Sequence, residues 1–265
     1  MSPSWSESLR IGLCPDRLIV ARYGRGLRPR LIEKAAVPFD TGTAEEPWRA
    51  AVTALQKSLE AHAPRAADAT IVLSNHFVRY ALLGANEHLS NREEWLEYAC
   101  HQFEKTYGMR ARDWDIQVAE AGAAHPRLAS AIDKALMAAA AAAFGNGRVR
   151  LRSVQPYLMI AFNRALPSMA QASFWFVAQE PGRLLLGLIR DGLWRSVRAR
   201  QTSAQWYEDL PRMVEREGAL LASEPCRDVL VSAVEHVELA ASNGFKFTTP
   251  SSLSGDERAY AMVFA

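Results

Sequence analysis

Apolar positions along the chain fall into two series with the same rhythm. Residues 9–13, 18–23 and 31–37 are three apolar-rich runs, divided by Cys14-Pro15-Asp16 and by Gly24-Arg25-Gly26. Residues 173–201 do the same, cut into three strands by Gln179-Glu180-Pro181-Gly182 and by Asp191-Gly192, an Asp-Gly pair that is a strong hairpin signal. The middle run, 184–189, is apolar on both faces, which suits a strand in the centre of a covered sheet. A helical stretch follows each meander. After the first, Pro38 closes the third strand, Thr43-x-x-Glu46 is a capping box, and Val52, Leu55 and Leu59 give an apolar stripe that fades at Ala63-Pro64. After the second, Thr202-x-x-Gln205 repeats the capping pattern before Trp206, Leu210, Met213 and Val214, with Pro211 a kink or re-start. An apolar strand then follows each helix, at 69–73 and at 228–232. In the first copy the polar hairpin turn Ser74-Asn75-His76 leads on to a further strand, 77–83.

A more helical block lies between the copies. It reads as a helix over 93–107, a strand over 114–119, a long Ala-rich helix over 127–144 ended by Gly145, and a strand over 149–154. Gln155-Pro156 then opens a helix to 165, and the tail alternates loop and helix through 235–243 and ends in a last strand over 259–264. Two copies of meander, helix and strand predict a duplicated α/β fold with a mixed sheet in each half. The expected division is a first half 1–90, an inserted α/β subdomain 91–155, and a second half 156–265 closed by the C-terminal strand.

Composition adds bounds more than identity. The 265 residues can bury a sizeable core, and 49% hydrophobic with 23% charged residues is globular composition. A net charge of +2, with arginines scattered among acids, shows no nucleic-acid stripe. Cys14, Cys100 and Cys226 lie far apart without paired spacing, which fits a reducing compartment. The start, MSPSWSESLR, has no basic region followed by an apolar core and reads as no signal peptide, and the longest apolar run, 135–144, is too short for a bilayer. Walker, dinucleotide, zinc and zincin patterns are absent. Glu93, Glu97, His101 and Glu104 share a helix face opposite Leu96, Cys100, Phe103 and Tyr107, so that acidic stripe is the wet side of an amphipathic helix. Cys100 and His101 cannot act as nucleophile and base, because neighbours on a helix point about 100° apart.

Several stretches carry a resemblance. Arg10-Ile11-Gly12-Leu13, Glu94-Trp95-Leu96-Glu97-Tyr98-Ala99, Ser153-Val154-Gln155-Pro156-Tyr157-Leu158-Met159 and Ala259-Tyr260-Ala261-Met262, in this order of elements, resemble the actin-like, ribonuclease-H-like ATPase superfamily. Within it the chain resembles the branch of the type IV pilus protein PilM, the pilus protein MshI and the cytoplasmic domain of the type II secretion protein GspL. The likeness covers nearly the whole chain as an order of elements.

The resemblance implies a site whose survival can be judged from the residues. Active members place Asp, Gly and Ser or Thr in each hairpin turn, so that backbone N–H groups cradle phosphate and a carboxylate positions metal-bound water. Here the positions that would face a nucleotide are Cys14 and Asp16 in the first turn, Glu180 and Gly182 in the second, and Ser232 and Glu235 in the late loop. Each turn contains a proline, which removes an N–H donor, and the late loop, residues 232–236, has no glycine. The expected aspartate position falls on Cys14, with its counterpart near Ala178 or Gln179. Asp16 or Glu180 could in principle stand in for the metal-site acid, against the commoner reading of solvated turn carboxylates. A nuclease-like use would need more clustered acids than these.

The resemblance with its lesions implies a non-catalytic scaffold, a pseudo-ATPase of a type IV pilus or type II secretion inner-membrane platform. The expected partner is a cytoplasmic segment of an inner-membrane protein, docked in a groove beside the 91–155 block. No nucleic acid and no resident cofactor are expected, and contact with the inner membrane would run through partners of a cytoplasmic protein. The alternative is a catalytic member, an ATPase or a sugar or acyl-phosphate kinase, with ATP and Mg bound at those turns.

Overall fold

The computed structural model describes residues 6–27, 29–41, 46–62, 64, 66–122, 124–145, 147–221, 224–235, 237, 239, 244–250 and 255–264. The first half opens with β1 (Glu7–Leu13), β2 (Arg17–Tyr23) and β3 (Leu31–Pro38), then α1 (Trp48–His62) and β4 (Ala67–Leu73). The middle carries β5 (Val78–Leu83), α2 (Arg92–Tyr107), β6 (Trp114–Val118), β7 (Arg127–Asp133), α3 (Lys134–Ala142), β8 (Val149–Pro156) and α4 (Tyr157–Ala165). The last stretch holds β9 (Phe174–Glu180), β10 (Arg183–Arg190), β11 (Leu193–Gln201), α5 (Trp206–Leu220), β12 (Asp228–Ala233), β13 (Lys246–Thr248) and the short α6 (Gly255–Arg258).

Two five-stranded sheets share one topology, β3-β2-β1-β4-β8 and β11-β10-β9-β12-β13. In each, a meander of three antiparallel strands is followed by a helix, and the next strand returns parallel to the first. A fifth strand then adds in parallel on the far side. This is the duplicated ribonuclease-H-like core, and its origin is legible in the side chains. β1 alternates only at its start, Leu9 buried between half-buried Ser8 and Arg10, and is buried continuously over residues 11–13, whereas β9 is buried along its whole length. Val52, Leu55 and Leu59 pack inward from α1, and Trp206, Leu210 and Val214 from α5. Asp191 and Gly192 both take positive φ (53° and 75°), the pair of conformations that a two-residue turn matched to strand twist demands. Gly187 of β10 lies under Trp194, where a Cβ would come within 2.4 Å of the indole.

The described residues divide into two compact units, one drawn from 1–78, 132–160 and 260–265, the other from 79–131 and 161–259. The block 91–155 is therefore not one insert. β8 joins the first sheet as its fifth strand, taking α3 with it, while α2 and most of a three-stranded sheet of order β5-β7-β6 fall in the second unit. β4 and β5 belong to different sheets, so Ser74-Asn75-His76, with Ser74 and Asn75 buried, is a crossing between sheets and not a hairpin turn.

Three further expectations need correction. Residues 127–133 are strand β7, because a place between β5 and β6 outweighs the helix propensity of Leu and Ala, and the helix begins at Lys134, capped by the Asp133 side chain. Residues 259–263 form turns that bury Ala261, Met262 and Val263, not a strand. α5 starts at Trp206 with Gln205 as an N-cap lacking a side-chain bond, so the Thr202 box does not form, and Pro211 lies inside the helix. The Thr43 box and most of the stretch 235–243, expected to alternate loop and helix, lie outside the described residues. Among the described residues no helix is long and apolar enough to cross a membrane.

Candidate functional site

The two hairpin turns expected to face a nucleotide share one pairing register, residue for residue, although Gly182 takes a positive φ and its match Asp16 does not. Leu13 pairs with Leu18 and the Cys14 N–H donates to the Arg17 carbonyl at 3.1 Å, leaving Pro15-Asp16 at the corner. Glu180 pairs with Arg183, leaving Pro181-Gly182, and Gly182 has φ of 74°. A proline followed by a glycine at positive φ is the combination of a type II turn. The matching pairs are thus Cys14 with Glu180, Pro15 with Pro181, Asp16 with Gly182 and Arg17 with Arg183. The parallel partners agree, since Leu13 faces Leu73 where Gln179 faces Ala233. Even the outer contact repeats: the Phe39 N–H donates to the Asp16 carbonyl at 3.1 Å and the Thr202 N–H to the Gly182 carbonyl at 3.2 Å. The counterpart of Cys14 is therefore Glu180, not Ala178 or Gln179 as the strand ends alone imply.

Phosphate is cradled by successive backbone N–H groups pointing into one concavity. A two-residue corner with proline first leaves one corner N–H in each turn, that of Asp16 or Gly182.

The side chains around the turns differ. Cys14 is 6% exposed and its sulfur lies 3.2 Å from Met262 Sδ. Met262 also lies against Gly12, where a Cβ would meet the methionine Cβ at 3.3 Å. Asp16 projects into solvent, 3.5 Å from its neighbour Arg17, so it is the exposed turn carboxylate of the simpler reading. Glu180 is 3% exposed, which corrects that reading for the second turn: burial of a carboxylate requires partners, and its charge acts on Arg183. Ser232, also buried, accepts a hydrogen bond from the Arg164 guanidinium at 3.2 Å, while Glu235 is exposed. Within the second unit the pairing of β12 with β9 brings Ser232 and Glu180 to the same end of adjacent strands. Cys14 and Asp16 belong to the first unit.

Two residues gain importance that their sequence context did not give them. Asn75 is buried after β4 and its Oδ1 accepts the Leu158 N–H at 3.1 Å, holding the first turn of α4. Gln179 is buried at the end of β9, and its Oε1 has no donor among the described residues. The signal for both was a polar amide at the end of a run that is otherwise apolar. Among the described residues no group of three or more His, Cys, Asp or Glu is placed to hold a metal ion.

These observations define the class: two ribonuclease-H-like halves in one chain, the actin-like ATPase fold. No protein-family model and no curated protein sequence matches the chain. Solved structures do. The cytoplasmic domain of EpsL, an inner-membrane component of the type II secretion system of Vibrio cholerae, matches with TM-score 0.63 and 10% identity, over 97% of this chain and 94% of that one. A PilM–PilN type IV pilus biogenesis complex matches with TM-score 0.59 and 14% identity, over 85% of this chain and 81% of that one. A Bacteroides thetaiotaomicron protein of actin-like ATPase fold and unknown function gives TM-score 0.56 and 8% identity, over 87% and 83%.

Proposed function

We propose that this protein is a non-catalytic, actin-like scaffold of a type II secretion or type IV pilus platform, working at the cytoplasmic side of an inner membrane through partner proteins. The observation that carries the reading is the matched pair of proline corners, each short of N–H donors where a phosphate cradle would need them. The filling of the β1 end by Met262 supports it, since a thioether against Cys14 leaves an apolar surface where a metal-positioning carboxylate would stand. The fold shared with the EpsL cytoplasmic domain and with PilM supports the setting, and a membrane partner's cytoplasmic segment is the occupant this reading expects.

Calorimetric titration with Mg-ATP tests the claim. The expected result is no saturable heat and no phosphate release. Micromolar binding with turnover would replace the scaffold by an ATPase or kinase of the same fold. Recovery of an inner-membrane protein by pull-down from native membranes is the positive counterpart.

A further inference from the structure

The connection between β2 and β3 has no counterpart in the second half. There the corresponding strands, β10 and β11, are joined by Asp191-Gly192 alone, whereas β2 and β3 are joined by residues 24–30. The Gly24 N–H closes this longer loop by donating to the Arg30 carbonyl at 2.9 Å. Gly26 has φ of 122°, and a Cβ there would meet no atom within 4 Å, so the apex stands clear of the fold. Next to it Leu27 is 77% exposed, and where the loop enters β3 Leu31 and Ile32 are 41% and 54% exposed. A register shift between Arg22 and Tyr23 gives β3 one residue more than β2 at this point, which breaks the alternation of the strand. Both side chains are left outside. Arg25 and Arg30 are exposed as well, and neither side chain forms an ion pair among the described residues. Residues 24–32 contain no acid, Glu7 on β1 is spent on Arg22 at 2.8 Å, and the first acid beyond the loop is Glu33.

We infer that this loop contacts an anionic lipid bilayer directly, Leu27, Leu31 and Ile32 entering the interface while Arg25 and Arg30 meet headgroup phosphates. A single exposed leucine is ordinary, but three large apolar side chains on one acid-free loop with two unpaired guanidinium groups are not. The two kinds of side chain suit different depths of one surface: the apolar groups gain by leaving water, and the guanidinium groups keep their charge among phosphates. Shape separates a bilayer from an acidic peptide. A peptide needs a groove or a free strand edge to hold it, whereas a loop whose apex touches nothing else presents a projection, which a soft, extended surface can take in. The inference goes beyond the scaffold reading, in which the membrane is reached only through partners.

Co-sedimentation of the whole chain with vesicles tests this, comparing phosphatidylcholine alone with equal parts of phosphatidylcholine and phosphatidylglycerol, each at low and high salt. Binding is expected on the anionic vesicles and should fall as salt is added. Arg25→Gln and Arg30→Gln are each expected to weaken it by about fivefold. Leu27→Ser, which leaves the charge unchanged, should weaken it by about tenfold. Circular dichroism should not change, since all three side chains are exposed. Leu220→Ser and Arg195→Gln, exposed apolar and cationic positions elsewhere, should bind like the parent. No preference for anionic vesicles, binding indifferent to salt, or loop variants that bind as well as the parent would each overturn the inference. Hexaglutamate bound as tightly as the vesicles, and lost in the loop variants, would overturn it in favour of an acidic peptide. Failure on vesicles leaves the scaffold reading standing, and Mg-ATP turnover would remove that reading while leaving this one untouched.

Discussion

Cys14 and Glu180 hold the same address in two copies of one turn, and their surroundings have diverged completely. Beside Cys14 the turn at the C-terminus delivers Met262, so the end of β1 is sealed by sulfur and apolar surface. Beside Glu180 a carboxylate is retained, buried, within the field of Arg183. What is common to both is backbone: corner length, proline position and the outer N–H bond to the corner carbonyl. Pairing geometry thus preserves the corner while side chains at the same address are free to be a packed thiol or a compensated charge. Under the scaffold reading proposed above, the first half would lack phosphate-gripping character through packing as well as residue identity, and replacing one residue would not restore it.

The largest test of the duplication is a matched pair in the two helices that cover the sheets. Leu55 of α1 and Leu210 of α5 are both fully buried, and Leu→Ala at either should cost about 2–5 kcal/mol. If the halves are built alike, hydrogen exchange should rise mainly in β1, β2 and β4 for Leu55→Ala, and mainly in β9, β10 and β12 for Leu210→Ala. A smaller effect tests the comparison at the turns. Cys14→Asp restores an acid where Glu180 already has one, but sets it against the thioether of Met262. Chemical denaturation should show a loss of about 1–3 kcal/mol, with the new carboxyl titrating above the usual range because burial disfavours its charged form. Tolerance of that change with gain of Mg-ATP binding would mean that the β1 end is a site after all.

Equivalent strands also open on equivalent acids. Asp68 at the start of β4 faces Ser8, and Asp228 opens β12 in the matching place. Burial raises the Asp68 carboxyl, but hydrogen bonds from Arg152 and Arg150 of β8 outweigh it and hold the group below the ordinary carboxylate range. A depressed carboxylate stabilises the fold above its ordinary value, and that contribution is lost as pH falls through the folded value. Asp68→Asn should therefore cost less than about 1 kcal/mol at neutral pH, water screening the half-exposed arginines, and the gap from the parent should close as pH falls through the depressed folded value. A gap that persists in acid would assign Asp68 a packing role instead.

Much of this architecture was legible because local signals and tertiary need agreed. The two meanders, the Asp191-Gly192 corner and the stripes of α1 and α5 each satisfy period, turn chemistry and burial at once. Where they disagreed, the sequence misled. Residues 127–133 carry Leu and Ala at helical spacing, yet they form the middle strand of a three-stranded sheet, a need invisible without β5 and β6 in place. β8 follows α3 closely in sequence but belongs beside β4, because parallel pairing is set by what lies across the sheet and not by neighbours in the chain. The proline corners were visible as such. Their one-to-one match was not, since it rests on pairing register, and neither was Met262, which reaches Cys14 from the other end of the chain.

The finest test of the matched corners returns the missing N–H. Pro181→Ala keeps the reverse turn, because Gly182 retains its positive φ and the Glu180–Arg183 pairing is unchanged. Loss of the ring's restriction on the unfolded chain should cost about 0.4–1 kcal/mol, read as a small drop in denaturation midpoint at constant slope. If proline is what disables the cradle, the variant should bind Mg-ATP where the parent does not. The expected outcome is no binding, because a corner of two residues presents too few N–H groups whichever residue stands first, and because Ser232 nearby is already engaged by Arg164. Binding regained by this single change would make the turn a recently silenced site, and the corner length, not the proline, would cease to be the decisive lesion.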